Sequence, residues 1–296
     1  MSIVEKALNK LQSASRPASA APAAPVAAAR PAGAPGRLAD TSAHRVIAPT
    51  RVVPFNSKAL RAAGLLPPEA QERQISQQFR QIKRPLVAAI RDSSATSNGH
   101  VVMVASALPG EGKTFTSVNL AVSLAAEKDV RVVLVDGDVA KPHVSRELGA
   151  ADEPGLLDVL GDKTLDVESF VLPTDVPNLS LLPAGKRAED ATELLASARM
   201  VEVIGALRRR DEQRIVLFDS PPLLLTTESH AVAQVAGEIV LVVKAGVTPH
   251  GVLQDAIGRL GGHPSVSLVL NQSVVESNAG YYYVAYGDAG RAGSEV

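Results

Sequence analysis

A hydrophobic run, Val101-Val102-Met103-Val104-Ala105-Ser106, empties into Ala107-Leu108-Pro109-Gly110-Glu111-Gly112-Lys113-Thr114, and a helical pattern follows at 113–127. No other stretch of the 296 residues constrains the fold so tightly. The eight residues have the form [AG]-x-x-x-x-G-K-[ST], a loop that requires a strand before it and a helix after it. Gly110 and Gly112 let backbone N–H groups curl around phosphate oxygens, and the helix N-terminus adds a favourable dipole. Lys113 has the reach for β- and γ-phosphates, and the Thr114 hydroxyl is placed for Mg²⁺. Pro109, Gly110, Glu111, Gly112, Lys113, Thr114 and Phe115 are therefore the candidate nucleotide-binding residues, with ATP and Mg²⁺ as the expected cofactors.

The rest of the chain repeats the same rhythm. Apolar runs at 101–107, 131–136, 214–219, 239–243 and 266–271 alternate with helical stretches at 113–127, 189–209, 228–236 and 249–260. Continuous Val/Ile/Leu runs mark strands buried on both faces. The expected fold is α/β, a doubly wound, mostly parallel sheet with helices on both faces. Thr248-Pro249 reads as an N-cap followed by proline at the first helical position. The segment from 68 to about 91 reads as a helix interrupted near Pro85.

Two further strands end in acids. Val132-Val133-Leu134-Val135-Asp136-Gly137-Asp138 delivers two carboxylates, and Ile215-Val216-Leu217-Phe218-Asp219 delivers a third. Ligands of open α/β sheets bind at the carboxyl ends of the strands, so these acids should converge on the phosphate loop. Mg²⁺ on a nucleotide takes one or two carboxylates plus phosphates, which makes Thr114, Asp136, Asp138 and Asp219 the candidate metal ligands.

Composition excludes several other chemistries. The chain has no cysteine, hence no disulfide, iron–sulfur cluster or thiol nucleophile, and its six histidines show no short metal spacing. Thirty basic against thirty-one acidic residues give a net charge of −1, and the one aromatic cluster has no interleaved Lys or Arg, so no nucleic-acid partner is expected. No apolar run approaches the roughly 18–20 residues of a membrane span. A cytoplasmic protein is the expectation. Residues 1–12 read as an amphipathic helix, 13–67 as an Ala/Pro-rich linker and irregular connection, 68–275 as the nucleotide-binding domain, and 276–296 as a tail. That tail holds all four tyrosines, Tyr281, Tyr282, Tyr283 and Tyr286.

Taken as a set, ALPGEGKT, VLVDGD and VLFDSPP followed by a tyrosine-rich tail resemble the bacterial tyrosine kinases over roughly residues 70–290. Their three motifs are called Walker A, A′ and B, and the fold implied is a P-loop NTPase of the deviant Walker type. The N-terminal helix, the linker and the FRQIKRP segment resemble the cytosolic autokinases of exosortase-type exopolysaccharide clusters. The resemblance implies transfer of the ATP γ-phosphoryl group to the chain's own tail, with Tyr281, Tyr282, Tyr283 and Tyr286 as phosphoacceptors. It gives Lys113, Asp136, Asp138 and Asp219 catalytic roles, one of the two A′ acids taking the phenol proton. It places Asn271, at the end of the last strand, beside the adenine.

The resemblance also implies partners. These are further copies of the chain, a separate membrane polysaccharide co-polymerase (the chain-length determinant) as activator that recruits the kinase to the inner face of the membrane, and a tyrosine phosphatase. Members of the family assemble through a Glu-x-x-Arg-x-x-Arg helix; the nearest match here, Gln77-x-x-Arg80-x-x-Lys83 with Arg84 adjacent, departs at both outer positions. Two other functions share the motifs. A partition- or septum-positioning switch ATPase would carry an extra lysine where this chain has Leu108, and would have no use for the tyrosines. A weakly catalytic nucleotide-binding scaffold of a polysaccharide machine would retain the motifs without turnover.

Overall fold

The computed structural model describes residues 51–92, 98–209 and 213–273. The N-terminal segment with its expected helix at 1–12, and the tyrosine tail expected at 276–296, lie outside the described residues.

Seven strands form one sheet: β1 Val101–Ser106, β2 Arg131–Asp136, β3 Leu172–Pro173, β4 Leu179–Leu182, β5 Arg214–Asp219, β6 Glu238–Lys244 and β7 Val266–Asn271. Their order is β3-β4-β2-β5-β1-β6-β7. Every pairing is parallel except the short β3–β4 contact at one edge. The five runs read from sequence are β1, β2, β5, β6 and β7. β3 and β4 are too short to announce themselves; LSLL gives only four residues of signal.

Strand side chains alternate between two cores. Val101, Met103, Ala105, Val133, Val135, Val216, Phe218, Ile239 and Leu241 enter one, and Val102, Val104, Val132, Leu134, Ile215, Leu217, Val240 and Val242 enter the other. The first core is closed by α5 (Leu156–Gly161), α6 (Ala191–Leu195), α7 (Ala198–Arg209), α8 (Glu228–Val235) and α9 (His250–Arg259). The second is closed by α1 (Ser57–Ala62), α2 (Glu72–Asp92), α3 (Lys113–Ala125) and α4 (His143–Glu147). Helices on both faces are what fully apolar central strands demand. Each such side chain contributes about 1.5–3 kcal/mol by leaving water.

Three expectations need correction. α2 runs without a break from Glu72 to Asp92 with Pro85 inside it. Proline costs one backbone hydrogen bond, but Phe79 before it and Leu86 and Ile90 after it are all buried in the same core, and that packing holds both halves in line. Residues 51–67 are not merely an irregular connection: α1 forms there, the Asn56 side chain accepts from Ala59 N–H at its start, and Val53, Leu60 and Leu65 are buried. The single helix expected at 189–209 is two, α6 and α7, meeting at 196–197.

Candidate active site

β1 lies between β5 and β6, so the chain crosses over on either side of it. The crevice of an open α/β sheet opens at that switch point, above the carboxyl ends of the strands. The phosphate loop occupies it. Gly110 and Gly112 have φ of +78° and +93°, left-handed values that suit glycine. α3 starts at Lys113 with Gly112 as its N-cap and no side-chain cap, so the N–H groups of its first turn are left for an anion. A Cβ on Gly112 would lie 2.0 Å from Nδ2 of Asn271, so a larger residue there would displace that amide.

The three acids converge as expected. Asp136 and Asp219 are register partners at the ends of β2 and β5, and both are fully buried. Thr114 Oγ1 donates to Asp219 Oδ2 at 2.9 Å, and Ser117 Oγ donates to Asp219 Oδ1 at 2.9 Å. Lys113 Nζ stands 3.2 Å from Asp138 Oδ2, and the Lys141 N–H donates to Asp138 Oδ1 at 3.2 Å. Asp136 Oδ2 accepts from both the backbone N–H (2.7 Å) and the hydroxyl (2.8 Å) of Ser145. Its other oxygen, Oδ1, is buried without a hydrogen-bond partner among the described residues. Buried polar atoms are nearly always satisfied, so an orphan lone pair at this place marks a position for an incoming group.

Burial dominates the titration of the two buried acids. It pushes the Asp136 carboxyl up to about 7, helped by the negative charge of Asp219 and opposed by the two Ser145 hydrogen bonds. It also pushes Asp219 up, while the Lys113 charge and the Thr114 and Ser117 hydroxyls pull it back. Like-charged carboxylates in a dry site call for a cation between them. Among the described residues no cluster of three or more His, Cys, Asp or Glu side chains is placed to hold a metal ion by itself. The donors present are hard oxygens: the Thr114 hydroxyl, Asp219, Asp138 and the free oxygen of Asp136. This set fits Mg²⁺ that arrives with a nucleotide and completes its shell with phosphate and water.

Glu111 and Asn271 also make contacts within the protein that the sequence did not suggest. The Glu111 carboxylate is buried and faces away from the crevice: Oε2 accepts from Leu108 N–H at 2.8 Å, and Oε1 accepts from the Thr248 hydroxyl. Only its backbone is left for phosphate. Thr248 is not the N-cap of α9; Pro249 is, and the Thr248 hydroxyl also accepts from Lys244 N–H at 3.1 Å. Asn271 Nδ2 donates to the Glu111 carbonyl at 2.9 Å, so this amide braces the loop from the end of β7. Phe115 packs against Phe79 of α2, ring centres 6.1 Å apart. Both Phe115 and Asn271 line a groove of about 820 Å³ between α2 and β7, which also receives Gly112, Ile75 and Gln78. Its position beside the loop suits a nucleotide base.

Ser117 and Ser145 were missed in the sequence. Ser117 lies one helical turn beyond Lys113, whose carbonyl its hydroxyl also contacts at 3.0 Å, and that spacing could have found it. Nothing in the sequence points to Ser145. In the assembly segment, Lys83 is buried: its Nζ donates to the Ser123 carbonyl at 2.6 Å and pairs with Glu127 at 2.8 Å. It fastens α2 to α3, whereas Gln77, Arg80 and Arg84 are exposed.

Comparison with known proteins agrees with this geometry. Residues 99–254 match the AAA domain family. The tyrosine-protein kinase YwqD of Bacillus subtilis is 34% identical over 58% of this chain and 70% of its own length. EpsB of Ralstonia nicotianae is 31% identical over 72% of this chain but only 29% of its own length, so the chain spans less than a third of that relative. Among solved structures, the VpsO kinase domain is 30% identical with a TM-score of 0.58, covering 70% of this chain and 100% of that one. The BceF tyrosine kinase domain is 28% identical with the same TM-score, covering 73% and 90%. With the phosphate loop, the paired acids and the parallel sheet already in place, these relatives settle the matter: the chain belongs to the bacterial tyrosine kinase family.

Proposed function

We propose that this chain is an ATP-dependent protein-tyrosine kinase that phosphorylates its own tail at Tyr281, Tyr282, Tyr283 and Tyr286 and thereby regulates exopolysaccharide synthesis or export. The observation that carries the reading is the free, buried Oδ1 of Asp136 in a group of acids whose Asp138 pairs with Lys113 of the phosphate loop.

The loop N–H groups and Lys113 hold the β- and γ-phosphates, and phosphate gives Lys113 a stronger anionic partner than Asp138 alone. Thr114, Asp219 and Asp138 would hold Mg²⁺, which leaves Asp136 Oδ1 for the acceptor. When bound, that ion neutralises charge on the transferring phosphoryl group. The acceptor phenol oxygen attacks the γ-phosphorus, the bond to the β-phosphate oxygen breaks, and ADP leaves. A phenol of pKa about 10 keeps its proton at neutral pH. Asp136 is the better proton acceptor of the two A′ acids, because Asp138 is given to Mg²⁺ and keeps the Lys141 N–H whereas Asp136 offers an unpaired oxygen.

The β7-side groove suits the base, so the acceptor has the opposite flank. There a second groove of about 590 Å³ is lined by Val139 and Ala140, which follow Asp138 directly, and by Arg187 and Thr192. Self-assembly, a separate membrane co-polymerase as activator that brings the chain to the inner face of the membrane, and a resetting phosphatase complete the proposal. No helix among the described residues is long and apolar enough to cross a membrane.

The test is peptide mass spectrometry after incubation with Mg-ATP, alone and with a cytosolic segment of the co-polymerase, with Lys113→Met as control. Phosphate on the four tyrosines in the wild type and none in the variant is expected. ATP hydrolysis with an unmodified tail would instead favour a switch ATPase, and no turnover a scaffold.

A further inference from the structure

We infer that Ser145 is a positioning residue for the phosphoryl transfer, holding Asp136 so that one carboxylate oxygen, and only one, faces the reacting centre. The inference rests on the kinase reading for its chemistry and on independent geometry for its substance.

Ser145 is 1% exposed and belongs to α4, a helix that packs on β2. It presents two donors to the same atom, its N–H at 2.7 Å and its hydroxyl at 2.8 Å from Asp136 Oδ2. A carboxylate gripped at one oxygen from two directions cannot rotate about its Cβ–Cγ bond without breaking both contacts. Oδ1 is thereby left as the one oxygen without a protein partner, on a carboxylate whose charged neighbours are Asp219 and Asp138. The hydroxyl has a further duty. Its oxygen accepts from the Ala184 N–H at 3.2 Å, which ties in the loop after β4. That loop is itself held down, since Asp158 Oδ2 accepts from Gly155 N–H at 2.9 Å and from Lys186 N–H at 3.0 Å. It continues into Arg187, which lines the second groove. One serine hydroxyl therefore joins the buried acid to the wall of the flank assigned to the acceptor.

A hydroxyl that only supported the fold would be dispensable to the reaction once the protein is folded. A positioning hydroxyl acts in the transition state, where misplacing a reacting group by a fraction of an ångström is felt directly. The two predict different kinetics. Ser145→Ala removes the hydroxyl and leaves the N–H; Ser145→Thr restores it; Ser145→Cys fills the same volume with a weak donor and serves if the alanine variant does not fold.

The experiment measures, for the full chain, kcat and KM for Mg-ATP in tail phosphorylation and, in parallel, in ATP hydrolysis. For Ser145→Ala, or Ser145→Cys in its place, kcat is expected to fall at least tenfold with KM for Mg-ATP within twofold of wild type. Ser145→Thr is expected to recover most of the rate. A kcat within twofold of wild type overturns the inference. So does an equal loss in kcat and affinity, or a loss that threonine does not repair. If the wild type hydrolyses ATP without labelling tyrosine, the kinase reading falls while Ser145 is judged by the same split on hydrolysis. No turnover of either kind, with the partner segment present, overturns both.

Discussion

Strands β2 and β5 run side by side, and three residues separate two kinds of burial. In their middles Val133 faces Val216, Leu134 faces Leu217 and Val135 faces Phe218; one step further Asp136 faces Asp219. All eight side chains are buried to within 1% of completely. For the six apolar ones, leaving water stabilises the fold. For the two acids it is a cost, visible as carboxyls pushed upward, which hydroxyl donors from α3 and α4 only partly offset. The lesson is that the sheet's apolar middle maintains a strained, acid-lined end that would not survive by its own contacts.

Two substitutions on these neighbouring strands would break or sharpen that contrast. Phe218→Ala removes a 1% exposed ring from the first core and should lower stability by about 3–5 kcal/mol; a loss under 1 kcal/mol in denaturant melts would deny the middle its role. Asp136→Asn should go the other way. In the folded chain Asp136 keeps its proton up to about pH 7, against 3.8 as the ordinary value. The folded state therefore binds more protons between those limits, so stability is fully present below pH 4 and is lost as pH rises toward 7. The loss is on the order of 4 kcal/mol, with Asp219 adding in the same direction. Without nucleotide or metal, the wild type should melt lower at pH 8 than at pH 5, and Asp136→Asn should flatten that slope while abolishing transfer. Equal slopes would refute the contrast.

Smaller effects test how the end is braced. Gly112→Ala places a methyl on Asn271 at a φ of +93°. A stability loss of about 1–3 kcal/mol and at least a tenfold weaker nucleotide affinity are expected in melting and fluorescent-nucleotide titrations. Adding Asn271→Ala should relieve the collision but not the backbone strain, and full recovery would show that φ does not matter there. Lys83→Met removes the α2–α3 tie and should cost about 1–2 kcal/mol with catalysis unchanged. At the small end, Arg80→Ala on the exposed face should move stability by less than about 0.5 kcal/mol.

How far the sequence could be read follows the same division. The sheet was legible because each central strand is apolar without interruption, and the phosphate loop because its chemistry is local, eight consecutive residues. The three acids were legible because they end strands. What escaped is built from residues far apart in the chain. Ser145 reaches Asp136 through a helix of five residues that has no pattern of its own, and Thr248 meets Glu111 across 137 positions. Pro85 misled because local propensity speaks of a break, whereas Phe79, Leu86 and Ile90 share one core across it. The burial of Lys83 could not be read at all, because its partners Ser123 and Glu127 lie on or beyond a different helix.

The clasp between Asn271 and the phosphate loop has a kinetic consequence. Asn271 is the last residue of β7, and its amide holds the Glu111 carbonyl. The chain that follows is thus moored to the nucleotide cradle itself, and Tyr281 comes ten residues later, a span of at most about 33 Å. If the tail is the acceptor, as proposed, a chain length that short would set its local concentration around a site at about millimolar levels, far above what a dissolved substrate would reach. Dilution of the protein should then leave the labelling rate unchanged for a tail serving its own site, and should slow it in proportion for a tail serving a neighbour's.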